Sequence, residues 1–415
     1  MNKIEKVVYN IVKNNVKVKI VIKRIYQSFF LIFKPKRLET KYDVKIAEGY
    51  FFGFHDKNPW SNNDYLLAHK IDSSVQGVPT KEDCVEIGYF KDTELKEFKT
   101  IDKTKSWNWQ QGAMLQWIGN RDQIMFNYWD GNQNVGKIVD LNGKRIKFLP
   151  YAVGAVSNDS NYIASYDFER LNRGMYGYGY ANENKNIKTL DDNIPLDSGF
   201  RIFSIKENQE MLNISINEIN NLLGERKLNG YLFVTHFLFS PNNERFLFLI
   251  RSYIKNRRLT SRMISCDIHG ENIHIFPCGN MVSHITWVGS DKVLAYCSDI
   301  NEKDGYYLFN DQDEGYKKVG EKEYTFDGHP QFNEIVNSII TDSYPNRKRL
   351  QELSIYNFNL NEKRLIGQFY SPVKFSNEFR CDLHPRWNKD GTKICIDTTY
   401  TGKRALGVIY LNKQI

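Results

Sequence analysis

One arrangement of apolar and polar positions recurs along most of the chain: an aromatic or apolar residue, a polar turn, and then an apolar run. Clear copies are WSNNDYLLAH (60–69), WIGNRDQIMFN (117–127), FSPNNERFLFL (239–249) and WNKDGTKICID (387–397). The turn is rich in Ser, Asn and Asp, which break regular structure, and the flanking residues are the aromatic and branched types that favour strands. Each copy therefore predicts a β-hairpin.

The arrangement occurs seven times, and the residue that opens each copy can be used as an anchor for alignment. The anchors are Trp60, Trp117, Val156, Phe239, Trp287, Phe332 and Trp387. Their spacings are 57, 39, 83, 48, 45 and 55 residues. A strand, turn and strand at this period is typical of propeller blades, whereas a pair of β-sandwiches would not repeat one phrase at one period. The sequence predicts an all-β, seven-bladed β-propeller.

The domain organisation follows from the same alignment. We assign residues 1–40 to a leader and residues 41–415 to the propeller. The longest spacing holds RLNRGMYGYGYANENKN (170–186), which is rich in Gly, Tyr and Asn. We expect this segment to form a long loop over one face of the ring.

The net charge of +8 comes from the leader and not from the body. Residues 1–40 carry ten basic and two acidic side chains, and the other residues carry 47 of each sign. A neutral body gives no indication of a nucleic-acid-binding groove. The six cysteines are scattered without a CxxC pair, and the N-terminus has no clean secretory signal, so we expect a cytoplasmic protein with reduced thiols.

The leader mixes Ile, Val and Phe with Lys. No stretch approaches 18 uncharged apolar residues, so a spanning helix is not predicted. The leader has two short helical faces, the first within residues 4–12 and the second formed by Ile25, Phe29 and Phe33, with an alternating segment (16–20) between them. Residues 1–36 are typical of an interfacial anchor on an anionic membrane, which would place the protein on the inner face. The alternatives are a solvated tail and a helix packed on the body.

Half of the eight histidines occupy one position of the repeat. The residue three before the anchor is histidine in the last four copies, where it is His236, His284, His329 and His384. The first three copies have Lys57, Met114 and Val153 there. Because residues three apart in a strand point to opposite faces, an anchor packed between blades turns this position towards the channel mouth.

Four imidazoles on adjacent blades could converge on a divalent metal. Imidazole is a common ligand for transition metals at neutral pH, and zinc or iron would suit such a site. Cys381, Asp382 and Gln331 are near enough in sequence to complete the ligand shell. The alternative is four structural histidines, each bonded to a backbone carbonyl.

A second group of polar residues begins in the first copy of the repeat. His55 precedes its hairpin and His69 ends it, and the alignment matches His69 to Tyr166, Asp342 and Asp397. A functional interpretation is an acid or base beside arginines that bind an anionic sugar, and Arg251 occupies a similar place after its strand. The structural alternative is a hairpin closed by an Asp cap. No GxSxG, P-loop, dinucleotide-binding or HExxH motif is present in the sequence.

The segments GHPQF (328–332), TDSYPNRKRLQELSIYN (341–357) and DLHPRWNKDGTKICIDTTYTGKRALGVIYL (382–411) resemble the blades of oligogalacturonate lyases. A wider similarity extends to ulvan lyases and to translocation-associated propellers. The resemblance covers the chain from about residue 45 and is best over 320–412. It implies a divalent metal, with manganese favoured, held at the channel mouth by histidines. Only His236, His284, His329 and His384 match that kind of position, and the family's His-x-His with an upstream Gln is not present in the sequence.

The resemblance further implies β-elimination on an acidic oligo- or polysaccharide that contains uronate. The metal or an arginine, Arg251 or Arg380, would neutralise the uronate carboxylate, and His55 or His69 would remove the adjacent proton. Tyr166 corresponds by blade position to the acid/base tyrosine of the ulvan enzymes. Arg380, Arg386 and Lys57 are the candidate substrate-binding residues.

The leader favours a different class of function. A propeller held on the membrane surface could act in surface-polysaccharide biosynthesis, either beside a glycosyltransferase or as a non-catalytic scaffold. Propellers serve many functions, and the fold does not decide between an enzyme and a scaffold.

Overall fold

Seven antiparallel sheets form the ring in the computed structural model, which describes residues 36–411 except 73, 120, 121, 186 and 256. The prediction of a seven-bladed β-propeller is confirmed. In blades 2 to 7 each predicted hairpin contributes to the first two strands of one sheet, and further strands complete the sheet towards the outside. In blade 1 the inner strand, Tyr50–Phe51, precedes the predicted hairpin, whose Trp60 forms an isolated bridge with Leu66. The leader, residues 1–35, lies outside the described residues.

The strands follow one another blade by blade. Two strands precede blade 1: β1 (Leu38–Thr40) and β2 (Asp43–Glu48). Blade 1 contains β3 (Tyr50–Phe51), β4 (Leu66–Lys70), β5 (Val85–Phe90) and β6 (Phe98–Thr104). Blade 2 contains β7 (Gln116–Ile118), β8 (Gln123–Trp129), β9 (Asn134–Asp140) and β10 (Arg145–Phe148). Blade 3 contains β11 (Ala155–Val156), β12 (Tyr162–Tyr166), β13 (Gly199–Ser204) and β14 (Gln209–Ser215).

The last four blades complete the ring. Blade 4 contains β15 (Tyr231–Phe239), β16 (Arg245–Tyr253), β17 (Thr260–Asp267) and β18 (His274–Ile275). Blade 5 contains β19 (Val282–Val288), β20 (Lys292–Ser298), β21 (Asp304–Asn310) and β22 (Tyr316–Val319). Blade 6 contains β23 (Gln331–Asn333), β24 (Ser338–Asp342), β25 (Leu350–Asn357) and β26 (Glu362–Tyr370). Blade 7 contains β27 (Arg386–Trp387), β28 (Lys393–Thr398) and β29 (Ala405–Tyr410).

The ring is closed by a strand from the start of the propeller. Blade 7 has three strands of its own, and β2 becomes its outermost strand by pairing with β29 from Asp43↔Tyr410 to Glu48↔Ala405. β1 adds a fifth strand to blade 6 by pairing with β26. Pairing the first strands with the last blades ties the two ends of the ring together, so no gap opens between blade 7 and blade 1.

Six of the seven repeat anchors lie on inner strands, and three tryptophan anchors join neighbouring blades. The indole nitrogen of Trp117 donates to the carbonyl oxygen of Pro59 at 2.7 Å, and that of Trp287 donates to Leu238 O at 3.1 Å. Each acceptor is the residue just before the anchor of the preceding blade. Trp60 repeats the contact with Arg386 O at 3.4 Å, across the junction between blades 7 and 1. An indole N–H needs an acceptor when it is buried, and the preceding blade provides this one.

The long insertion of blade 3 begins with a helix that the sequence did not predict. α1 (Phe168–Gly174) starts the segment between β12 and β13, and the rest of the segment is irregular, as expected. Arg170 fixes it by donating to the carbonyl oxygens of Leu232, Asp192 and Asn193. A second short helix, α2 (Ile216–Leu222), follows blade 3 and starts with a capping box between Ser215 and Glu218.

The division of the chain at residue 40 remains a prediction. Leu38–Thr40 falls on the leader side of that boundary and forms β1 on blade 6. Among the described residues, no helix is long and apolar enough to cross a membrane.

We expect the indole hydrogen bond between blades to be measurable by comparing two Trp→Phe substitutions. Trp117→Phe removes the indole donor from the buried Pro59 carbonyl, which keeps its second donor, the backbone N–H of Leu67, at 3.0 Å. The free energy of unfolding should therefore fall by about 0.5–1.5 kcal/mol more than in Trp387→Phe. Trp387 is the matched control, because it is an equally buried anchor whose indole nitrogen has no partner among the described residues. Denaturant unfolding of both variants provides the measurement, and equal losses would contradict the role of the bond.

A buried carboxyl group on α1 should make stability depend on pH. Burial raises the pKa of Glu169 to about 7 from the ordinary 4.5, although Asn134 Nδ2 donates to its Oε1 at 2.7 Å. The folded state thus holds a proton that the unfolded state releases between these values. The free energy of unfolding should therefore fall as pH rises from about 4.5 to 7, by roughly 2–3 kcal/mol.

Glu169→Gln should remove most of this pH dependence, because an amide keeps the acceptor for Asn134 and cannot ionise. Glu225→Gln, at an exposed position, serves as the control and should follow the wild-type profile. The measurement is urea unfolding between pH 4.5 and 8. A wild-type profile that is flat over this range, or one that Glu169→Gln leaves unchanged, would show that Glu169 is already ionised in the folded protein.

Candidate functional site

The four histidines of the repeat converge at one mouth of the channel. His236 and His284 lie on inner strands β15 and β19, and His329 and His384 lie just before β23 and β27. The ring centroids of His284 and His329 are 4.1 Å apart, and those of His329 and His384 are 4.3 Å apart. His236 is at the edge of the group, 6.4 Å from His284. We call these four residues and His55 the histidine cluster.

Blade 1 contributes the centre of the cluster. After the two-residue strand β3, the chain turns into the channel and places Phe54 among the histidine rings, 5.0 Å from His236 and 5.2 Å from His384. The ring of the following residue, His55, lies 5.5 Å from His329, and its Nδ1 is 2.8 Å from the carbonyl oxygen of Pro330. We call residues 52–59 the channel plug.

The repeat position before the anchor has a distinctive backbone. His236 and His384 have φ values of +59° and +42°, and Met114, at the same position of blade 2, has +54°. Left-handed backbone is uncommon for residues other than Gly and costs about 1–3 kcal/mol, so it persists where surrounding contacts enforce it. In blade 4 it coincides with a register shift between Thr235 and Leu238, which directs the His236 side chain away from the regular ladder.

Two carboxylates orient the histidines. Asp342, at the end of β24, accepts hydrogen bonds from the backbone N–H of His329 at 2.8 Å and of His384 at 3.1 Å. The same carboxylate lies 2.8 Å from His329 Nδ1. Asp327 is 3.0 Å from His284 Nδ1. With Nδ1 bound to a carboxylate, the Nε2 atom of each ring is left to face the cluster.

Burial keeps most of the cluster uncharged. Desolvation, followed by the charges of neighbouring imidazoles, holds the pKa of His55 and His384 well below the ordinary value. The pKa values of His236 and His284 are lowered mainly by burial as well. His329 differs, because the Asp342 carboxylate outweighs the effect of burial and raises its pKa. Neutral imidazole is the form that binds metals and accepts protons.

Three residues at the C-terminal side of the cluster are arranged to hold a metal ion. One ligand atom from each of His329, Asp382 and His384 lies within 4.8 Å of the others, and all three residues are buried. The Nε2 atoms of both histidines and Oδ1 of Asp382 have no hydrogen-bond partner among the described residues, and the same is true of His55 Nε2. Buried polar atoms are rarely left unpaired, so these atoms fit a cation that would satisfy them together.

Arginine and tyrosine side chains cover this group. Arg380 Nε donates to Oδ2 of Asp382 at 2.5 Å, and the same guanidinium contacts the hydroxyl of Tyr178 from the blade 3 insertion. The ring of Tyr344 lies 5.6 Å from that of His329. Arg251 donates to the carbonyl oxygens of Val282 and Ser283, and its Nε has no partner among the described residues. The cluster therefore has two cations beside it.

The other residues singled out from the sequence lie apart from the metal-binding group. His69 stacks on Phe51 and accepts the backbone N–H of Ala113 at 3.0 Å, and burial lowers its pKa to about 3. Tyr166 stacks between Phe168 and Phe237.

Two of the candidate substrate-binding residues already have carboxylate partners. Arg386 is fully buried and pairs with Asp397 at 3.0 Å, and Lys57 pairs with Asp56. The catalytic and binding roles assigned to these residues and to His69 and Tyr166 remain predictions.

Several residues of the site were not predicted from the sequence. Phe54, Asp327, Tyr178 and Tyr344 carry no repeat signal, and they reach the cluster only through the folded ring. The alignment matched Asp342 to Asp397, and in the structure each of these carboxylates accepts hydrogen bonds from two backbone N–H groups. Asp397 binds the backbone N–H groups of Phe52 and Gly53, as Asp342 binds those of His329 and His384.

Comparisons with known proteins agree on the fold. No protein-family model matches the chain, and no curated protein is similar in sequence. An oligogalacturonate lyase solved with manganese superimposes with a TM-score of 0.61 and 12% identity, over 90% of this chain and 95% of that one. An oligogalacturonate lyase from Vibrio parahaemolyticus gives 0.58 and 10% identity, over 90% and 99%. A prolyl endopeptidase gives 0.51 and 9%, over 94% of this chain and 53% of that one. The chain thus shares the propeller fold of the oligogalacturonate lyases.

Proposed function

We propose that this protein is a metal-dependent lyase that cleaves uronate-containing oligosaccharides by β-elimination. The observation that carries the proposal is the group of buried ligand atoms on His329, Asp382 and His384 that lack partners among the described residues. Arg380 is bonded to Asp382, and Arg251 lies on the His236 and His284 side of the histidine cluster. A site that combines a cation-binding group with two guanidinium groups suits a substrate with a carboxylate. The fold shared with oligogalacturonate lyases, one of which was solved with manganese, supports the same class of substrate.

His329, His384 and Asp382 would hold the metal ion, which leaves His55 Nε2 available for proton transfer. Manganese is the metal favoured by the similarity, and a set of two imidazoles and one carboxylate also suits zinc or iron. When bound, a divalent cation would withdraw charge from the uronate carboxylate and so make the adjacent C5 proton more acidic.

The protein's own side chains can perform the proton transfers of an elimination. A neutral His55 accepts the C5 proton on Nε2, the C5–H electron pair becomes the C4=C5 double bond, and the C4–O bond breaks. Burial keeps the pKa of His55 low and therefore keeps the imidazole able to accept the proton. Burial raises the pKa of Tyr344, so its hydroxyl stays protonated and can donate to the departing oxygen.

The arginines provide the binding energy for the acidic sugar. The Arg380 guanidinium donates hydrogen bonds to Asp382 and to the Tyr178 hydroxyl. The Nε atom of Arg251 has no partner among the described residues. A uronate carboxylate would take bidentate hydrogen bonds from one of these guanidinium groups. Tyr178 belongs to the blade 3 insertion, and the substrate would have to displace its contact with Arg380 to reach the histidines.

Metal binding is tested by titrating the protein with manganese and with zinc. His329→Ala and His384→Ala should each weaken affinity by more than about 100-fold, and Asp342→Asn, which removes a carboxylate that orients His329, by about 10- to 100-fold. His269→Ala is the control, because His269 lies exposed on the turn after β17. Calorimetry gives the affinities, and thermal unfolding verifies that the variants are folded. Wild-type affinity in both single histidine variants would rule out this metal site.

Lyase activity is tested by incubating the manganese-loaded protein with a panel of uronate oligosaccharides. Elimination creates a conjugated C4=C5 double bond, so ultraviolet absorbance should rise. His55→Ala should reduce kcat by about 100- to 10,000-fold, the usual contribution of a general base, without a comparable loss of manganese affinity. His69→Ala distinguishes the two candidate bases, and its activity should stay near wild type after correction for the folded fraction. If no uronate yields the unsaturated product, the proposed activity is wrong.

A further inference from the structure

The channel plug separates the histidine cluster from a second cavity. The plug brings Phe54 and His55 to the cluster, and two residues later Lys57 Nζ lies 3.4 Å from the carbonyl oxygen of Phe237. The plug ends near Pro59, whose carbonyl binds the indole of Trp117. His236 precedes Phe237 and Phe239 on the same inner strand, so the plug runs along the channel from the histidines towards the turns that follow the inner strands.

A cavity of about 340 Å³ lies at that end of the channel. It is bounded by the first four blades, whereas the metal-binding group belongs to blades 6 and 7. Its volume is within the range of about 300–1,000 Å³ that is usual for small-molecule sites. The cavity is lined by Asp56 and Lys57 of the plug and by residues that end the inner strands, among them Trp117 and Phe239.

Asp56 is the feature that indicates a ligand. Its side chain is only 3% exposed, and Oδ2 pairs with Lys57 Nζ at 2.5 Å. Its other oxygen, Oδ1, is buried and has no hydrogen-bond partner among the described residues. A buried acceptor left unpaired costs about 1–3 kcal/mol, and a ligand hydroxyl in the cavity would recover this cost.

The side chains that line the cavity indicate the class of ligand that would fit it. The Asp56–Lys57 pair has no net charge, so it favours neither an anion nor a cation. It presents a carboxylate acceptor next to an ammonium donor, which suits a hydroxyl group that donates to one and accepts from the other. Trp117 and Phe239 add apolar surface to the same cavity. A molecule with hydroxyl groups around its edge and C–H groups on its faces matches both the Asp56–Lys57 pair and the aromatic side chains.

We propose that this second cavity binds a neutral hexose unit, with its hydroxyl groups on Asp56 and Lys57 and its apolar face against the aromatic walls. The proposal is independent of the lyase activity, because it uses the other end of the channel and needs no metal. Both a free monosaccharide and the terminal unit of a neutral oligosaccharide present such a hexose. Asn62, an exposed residue that lines the cavity, marks the side from which the ligand enters.

The test is a binding measurement with metal-free protein. Glucose, galactose and mannose, each as the free sugar and as a neutral trisaccharide, are titrated by ligand-observed NMR at millimolar concentrations. At least one hexose should bind, and a trisaccharide that binds more tightly than its free sugar would identify the chain end as the ligand. Absence of binding by every sugar in the panel would overturn the proposal. So would a preference for galacturonate over galactose, because it would indicate an anion site.

Two neighbouring substitutions localise the site. Asn62→Trp should block the cavity and weaken hexose binding at least tenfold, whereas Asn63→Trp, at the adjacent exposed residue outside the cavity lining, should bind as the wild type does. Asp56→Asn should also weaken binding, because it removes the charged acceptor. His384→Ala should leave it unchanged. Unaltered binding in Asn62→Trp, or loss of binding in His384→Ala, would place the sugar elsewhere and contradict the proposal.

Discussion

The candidate site depends on two buried carboxylates that hold the ends of the inner strands. Asp342 binds the backbone of His329 in its own blade and of His384 in the next blade. Asp397 binds Arg386 in its own blade and the backbone of Phe52 and Gly53 in the next. A buried carboxylate requires such donors to remain charged, and the donors come from two blades at once. The hydrogen bonds that stabilise these two carboxylates therefore also fix the positions of the imidazoles and of the channel plug.

The same constraint governs the electrostatics of the histidine cluster. Five imidazoles around Phe54 would repel one another if they were protonated, and burial keeps four of them neutral. Only His329 has a carboxylate strong enough to favour its charged form. A cation bound to His329 and His384 would compensate the negative charge of Asp342, as the proton on His329 does. Metal binding would therefore be linked to the charge of Asp342.

The channel plug connects the two sites that we propose, one at each of its ends. At one end of the plug, Phe54 and His55 contact the histidines of the C-terminal blades. At the other end, the Asp56–Lys57 pair lies beside the N-terminal blades. The propeller fold is shared with proteins of 9–12% identity and of unlike chemistry, including lyases and a peptidase. The fold therefore supplies the channel, and the residues at its two ends decide what this protein binds.

The sequence by itself determined the architecture and half of the site. An apolar anchor followed by a polar turn and an apolar run is a local property, so seven hairpins and the shared position of His236, His284, His329 and His384 could be found by alignment. Only the tertiary structure decided that β2 closes blade 7, that His55 and Phe54 complete the cluster, and that Asp342 and Asp327 pair with the histidines. Apart from the pairing of Asp342 with His329 inside blade 6, these contacts join segments of different blades, up to more than 300 residues apart, and are set by closure of the ring. Since no local pattern of side chains encodes which blade ends meet, the sequence could indicate the ligands but not their partners.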